Sequence, residues 1–196
     1  TPTFALVEPP HFEQASQDMK NAFSELGDYL GDQAFLTTLP SAFNEAIRGR
    51  EIINFAEMAK CYFRYHRDHS DHLSQKLLTA IKEGEQLSAR DYISSLDWRD
   101  ILNAALEEMF ERCDAIIIPS ALGGAPGRET TGDAIFNGIW TLAGTPVINL
   151  PVFEDSDGMP MGIQIIGPRG DDARLMRTAR WLSESLSQAM TNEEVA

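Results

Sequence analysis

The chain has 196 residues, 43% apolar and 23% charged, and its thirty acidic against sixteen basic residues give a formal charge of −14 and a pI near 4.6. A chain of this make-up folds as a globular protein and can bury roughly 70% of its unfolded surface, so disorder is excluded. The negative balance repels a phosphate backbone or an anionic membrane surface, and no apolar run approaches the roughly 20 residues of a membrane helix.

Neither nucleic acid nor membrane is therefore an expected partner, and with no signal-like basic or apolar region in TPTFALVEPP the expected compartment is the cytoplasm. The first residue is Thr1 rather than methionine. Methionine removal, a fragment boundary or an N-terminal threonine nucleophile would each account for it, the last with least support.

Residues 3–8, TFALVE, alternate weakly and stop at Pro9-Pro10, which predicts a short strand. From His11 to Leu30 the apolar residues Phe12, Ala15, Met19, Ala22, Phe23 and Leu26 recur at helical spacing, closing at Gly27 or Gly31. QAFLTTLP (33–40) reads as a second strand ended by Pro40. Strand, crossover helix and strand in this order predict a parallel pair in an α/β sheet.

The middle, 41–113, is read as mainly helical. Ile52, Phe55, Ala56, Ala59 and Phe63 form one stripe, Leu73, Leu77, Leu78 and Ile81 a second, and Ser88-Ala-Arg-Asp91 opens another helix. AIIIP (115–119) is a β-branched run suited to a strand buried on both faces. A glycine-rich loop follows, ALGGAPGRETTG (121–132), then the nearly uncharged GDAIFNGIWTLAGTPVINLP, a turn at Asp157-Gly158, the strand GIQIIG (162–167) and a last helix. Asp171 or Asp172 caps that helix, and Leu175, Ala179, Leu182 and Leu186 share one face. The expected architecture is α/β, a mixed β-sheet flanked by helices, over 1–196 as a single unit with a helical middle and its most motif-rich part at 114–190.

Cys61 and Cys113 lie far apart with no second cysteine near either, so both are expected as reduced, buried thiols, a single disulfide between them staying open. His66, His69 and His72 suggest a metal site. Steps of three along a helix fan them over about 120°, and Arg67, Asp68 and Asp71 between them favour a solvated face. Ser94-Ser95 has no flanking glycine and no nearby base, so it reads as capping or filler. The acid pairs Glu107-Glu108, Asp171-Asp172 and Glu193-Glu194 point about 100° apart on a helix and do not converge on one bond. No metal and no cofactor is expected. The glycine-rich loop lacks GxxxxGK[ST] and GxGxxG, which leaves pocket lining or a plain connector.

The segment 132–151 holds the sharper question. Asp133 is a candidate N-cap, Gly144 sits where a left-handed residue ends a helix, and Pro146 forbids continuation. Phe136, Ile139, Trp140 and Ala143 would pack one side, while Asn137 and Thr141 share another. Either these two bond to neighbouring backbone inside a core, or they form a polar stripe beside a pocket.

GDAIFNGIWTLAGTPVINLPVF followed by GMPMGIQIIGPRGDDARLMRTARWL resembles the C-terminal part of the amidase signature family, and TPTFALVEPP with the stretch INFAEMAKCYF…LSARDY resembles it more loosely. The resemblance implies an amide hydrolase that works through a serine acyl-enzyme, using a Lys, a second Ser and a nucleophilic Ser in a GGSSGG-like stretch. No such stretch and no matching Lys occur in these 196 residues. No catalytic residue is therefore assigned, and the isolated chain is expected to be inactive, its catalytic half lying upstream.

Matched to the motif, Pro119, Ser120, Asn137, Trp140 and Thr141 are the expected substrate-binding residues, with Trp140 as an apolar wall. The FNGIWTLAG form looks more like stand-alone amidases than like the A-type subunits of tRNA-dependent amidotransferases. The expected partners are a small-molecule amide and an N-terminal catalytic half, and a half-sheet with an uncovered apolar patch also favours a homo-oligomer. The rival reading is a free-standing, non-catalytic binding or assembly module.

Overall fold

Phe4–Val7 (β1) is buried at every residue, as are Ala115–Pro119 (β3) and all but the first residue of Pro160–Ile166 (β5), which requires cover on both faces of one sheet. The computed structural model describes residues 1–193. Adding Ala34–Thr37 (β2) and Val147–Glu154 (β4), the five strands run in the order β2-β1-β3-β5-β4. The first three are parallel and β5 is antiparallel to both β3 and β4, so the sheet is mixed as expected.

The helix Gln17–Leu30 (α1) makes the β1–β2 crossover. It starts later than its apolar spacing suggested, because Phe12–Gln14 forms a separate 3-10 turn and Ser16 caps the helix by accepting the Met19 N–H. Asp172–Glu193 (α7) ends the described chain, and Glu194 of the last acid pair lies outside the described residues. Phe23, Leu26 and Leu30 of α1 share a core with Leu175, Ala179 and Leu182 of α7 and with the face of the sheet that carries Phe4, Leu6, Ile117, Ile163 and Ile165. Each of the Leu, Ile and Phe side chains among them contributes about 1.5–3 kcal/mol on burial. Alternation places Ile116, Ile118 and Gln164 on the opposite face. β4 and β2 are the sheet's edges. In β4 the register shifts between Leu150 and Phe153, around Pro151, which has no N–H for a ladder. Leu36 of β2 is 78% exposed.

The chain divides into two compact units, Ser41–Leu102 and Thr1–Pro40 together with the residues from Asn103 on. The helical unit holds Ala42–His69 (α2), Gln75–Glu85 (α3) and Ala89–Leu96 (α4), after which Trp98–Phe110 (α5) carries the chain back toward β3. Ser74 and Ser88 cap α3 and α4 by accepting the Leu77 and Asp91 N–H groups. α2 and α3 approach so closely that a Cβ on Gly84 would lie 2.0 Å from the Phe55 carbonyl oxygen.

His66 lies 3.3 Å from the Glu85 carboxylate, while the His69 and His72 rings contact each other edge-on. Ser95 is buried and donates to the Asp91 carbonyl, whereas Ser94 is exposed. Both cysteines are free thiols. Cys113 is buried, which pushes its thiol up to about 11, but Cys61 is exposed on α2, contrary to expectation. It stands in a run of α2, residues 60–65, that is exposed at every position.

The Asp114 carboxylate, just before β3, accepts from the Thr3 N–H at 2.8 Å and from Arg174 at 2.5 Å, tying three segments together. Burial works to raise this carboxyl, but the Arg174 and Thr3 hydrogen bonds outweigh it and hold the group below its ordinary value. A carboxyl lowered on folding adds stability above its unfolded pKa of about 3.9, and loses that contribution as pH falls through the folded value.

Asp114→Asn should therefore lower the unfolding free energy by about 1 kcal/mol at pH 7, with the gap to the parent closing below about pH 4. Urea titrations at pH 7 and pH 3 measure it, and a gap of equal size at both would exclude the charge. Gly84→Ala gains about 1 kcal/mol in helix propensity but drives a methyl into backbone, so a net loss of about 1–3 kcal/mol is expected by denaturant unfolding. Unchanged stability would show that α2 and α3 can separate freely.

Candidate functional site

β3 stops at Pro119, and the cleft opens where it stops. About 590 Å³ in volume, it is walled by the loop residues 120–126 and 131–134, by Asn137, by Asn149 and Pro151 of β4, and by 160–162 of β5. That size suits a small ligand. The glycine-rich loop is thus pocket lining rather than a plain connector.

One backbone hydrogen bond holds the loop, and a glycine lets it approach the β4–β5 turn. The Ser16 N–H donates to the Leu122 carbonyl at 2.6 Å. A Cβ on Gly124 would sit 1.9 Å from the Asp155 carboxylate. Asp155 also accepts from the Asp157 and Met159 N–H groups, which fixes the β4–β5 turn at Gly158, φ 75°. Asp18 at the start of α1 accepts from the Ser156 N–H and hydroxyl, bonds that hold its carboxyl below the usual range.

The cleft floor follows from strand register. Asn149 stands opposite Gln164 across the β4–β5 pair, and Ile118 stands opposite Gln164 across the β3–β5 pair, so the three share a face. Continuing that register puts Ser120 beside Gly162, where the Ser120 N–H donates to the Gly162 carbonyl at 2.9 Å. The Ser120 hydroxyl donates to Asn149 Oδ1 over Gly162, whose missing Cβ would lie 3.2 Å from the Ser120 oxygen and 3.1 Å from Asn149 Oδ1. That Cβ would also lie 2.8 Å from the Leu150 carbonyl oxygen, so the glycine leaves room both for the paired strand and for the side-chain pair above it.

Gln164 is 6% exposed and donates from Nε2 to Asn137 Oδ1 at 2.8 Å, with the Pro119 and Phe136 carbonyls at 3.4 and 3.5 Å. This bond overrides the expected helix start. The helix (α6) runs from Gly138 to Ala143, and its N-cap is Asn137 rather than Asp133. Residues before it form a turn in which the Asn137 and Gly138 N–H groups donate to the Ala134 carbonyl. The expected end holds, with Gly144 left-handed at φ 68°.

Of the five expected binding residues, Ser120 and Asn137 are brought together in the cleft, and Pro119 is buried at the end of β3 behind them. Trp140 is 1% exposed and belongs to the core, and Thr141 is exposed on α6; neither lines the cleft. Sequence reasoning does not single out Asn149, Gly162 or Gln164 as site residues. Their signal is a lone carboxamide in each of two apolar strands, VINLP and GIQIIG. The described lining contains no Lys, Arg, His or Cys, and Asp133 is its one ionisable side chain. The acceptor beside Ser120 is a carboxamide oxygen, which cannot take up the hydroxyl proton as a general base does.

Among curated proteins, the A-type subunit of the glutamyl-tRNA(Gln) amidotransferase of Maricaulis maris is 32% identical over 87 residues, 40% of this chain and 18% of that protein. The matched region is thus under a fifth of the relative's length. Among solved structures, an amidase superimposes with a TM-score of 0.81 at 22% identity, over 93% of this chain and 45% of that one. The A-type subunit of the Thermotoga maritima glutamyl-tRNA(Gln) amidotransferase superimposes with a TM-score of 0.61 at 22% identity, over 90% and 40%. Both structural likenesses are in fold. The family model described as Amidase matches residues 28–176, well over half of the sequence, and the chain belongs to the amidase family.

Proposed function

We propose that these residues form the substrate-binding, C-terminal portion of an amide hydrolase, and that the Lys and two Ser that cleave the carboxamide lie in a segment upstream of Thr1. The observation that carries this is the composition of the cleft. It has hydrogen-bonding groups to orient a small amide, yet its one serine donates to a carboxamide and no Lys or His stands in the described lining to activate it. On this reading the chain orients the amide and the upstream segment supplies nucleophile, proton relay and oxyanion donors. Edge strand β2, with Leu36 exposed, offers apolar surface for a further part of the sheet or a second chain to cover. The likeness in sequence to amidotransferase subunits and in fold to an amidase leaves the whole protein's substrate to experiment.

Two measurements test the proposal. The 196-residue chain should release no ammonia from simple carboxamides above a buffer control. Read upstream of the Thr1 codon, the same frame should encode a Lys and a Gly/Ser-rich stretch with paired serines, and the protein extended to include them should turn over amides. Turnover by the 196 residues alone would overturn it. So would a start codon directly before Thr1 with no serine-bearing partner, which is what a free-standing binding module predicts.

A further inference from the structure

Asp133 aside, the polar side chains that meet at the cleft floor are neutral and have a defined sense. Asn137 Oδ1 is occupied by Gln164 and Asn149 Oδ1 by Ser120, which leaves both Asn Nδ2 groups as donors and the Ser120 oxygen lone pairs as acceptors. A carboxamide ligand presents the matching set, a carbonyl oxygen that accepts and an NH2 that donates. A carboxylate presents two acceptors and a charge, and the described lining has no cation to meet it. Arg128, the nearest cation along the loop, lies in 127–130, the stretch of loop outside the lining, while Asp133 lies inside it. Removing a carboxylate from water beside Asp133 is opposed twice, by desolvation and by like charge, whereas an ammonium there is favoured. The whole chain's charge of −14 adds a field of the same sign.

We infer, resting on the reading of the cleft as an amide pocket, that it selects amides whose acyl chain is uncharged or carries an amine, and rejects amides whose acyl chain carries a carboxylate. Three probes of nearly equal size separate these classes: butyramide, 4-aminobutyramide and succinamate. Each is titrated into the full 196-residue chain while the Asn137 and Asn149 side-chain amides are followed by NMR.

Butyramide and 4-aminobutyramide should shift both amides, the amine binding about two- to fivefold more tightly, as suits one exposed charge partner. Succinamate should bind at least several-fold more weakly than butyramide. Asp133→Asn should bring 4-aminobutyramide to the level of butyramide and strengthen succinamate, and Asn137→Ala should weaken all three. Succinamate binding as tightly as butyramide would overturn the inference while leaving the cleft an amide pocket, as would an unchanged order in Asp133→Asn. If none of the three shifts either amide, the reading of the cleft itself fails, and the inference with it.

Discussion

Everything at the candidate site depends on one buried carboxamide. Gln164 sits in the middle of β5, in a strand otherwise made for an apolar core, and leaving its polar atoms unmet there would cost about 1–3 kcal/mol. Its partners are on other segments: the carbonyls of Pro119 and Phe136, and the side chain of Asn137. Satisfying Gln164 therefore pulls the turn before α6 against the end of β3. The space left between that turn, the loop after β3 and the β4–β5 hairpin is the cleft. Replacing Gln164 by an apolar residue would suit the strand, but it would remove the bond that orients Asn137.

Close approach explains the glycines as well. Gly162 lets two side chains meet across the sheet surface, and Gly124 lets the loop backbone lie against Asp155, which in turn holds the hairpin turn. Neither position requires a positive φ, since the positive-φ glycines are elsewhere. What both supply is absent volume. A loop of a dozen residues without regular structure is pinned in this way by Ser16 on one side and approached by Asp155 on the other, so it can line a pocket without a helix or strand of its own.

Strand β3, the α7 stripe and the β1–α1–β2 crossover were legible because their signals are local: a β-branched run, a 3.6-residue period, and Pro or Gly at the ends. The start of α6 was not, because nothing in GDAIF marks the distant Gln164 that ends up capturing Asn137. Asn149 and Gln164 escaped for a related reason. Each is a single polar residue in an apolar strand, and only the pairing register, between residues fifteen and forty-six positions apart, shows that they and Ile118 share one face. Ser120 and Asn137 came from a motif rather than from periodicity, and the cleft unites them. Trp140 came from the same motif, yet its bulk fills the core. Cys61 was read as buried from residue type alone, and residue type does not show that it falls in an exposed run of α2, residues 60–65.

Division of labour in a cleft of this kind has a physical logic. Orienting an amide needs donors and acceptors fixed before the ligand arrives, because every group that must be ordered on binding subtracts from affinity. Asn137, Asn149 and Ser120 are fixed by bonds to the protein, to Gln164 and to each other, so they are in place without a ligand. Breaking an amide needs a different arrangement, a nucleophile whose hydrogen-bond partner is a base able to take its proton and is itself oriented by a third group. Ser120 has no such partner: its hydroxyl donates to a carboxamide oxygen, a bond that fixes it in the floor without activating it. On the proposed reading, a chain that forms so settled a floor meets its reactive serine from another segment.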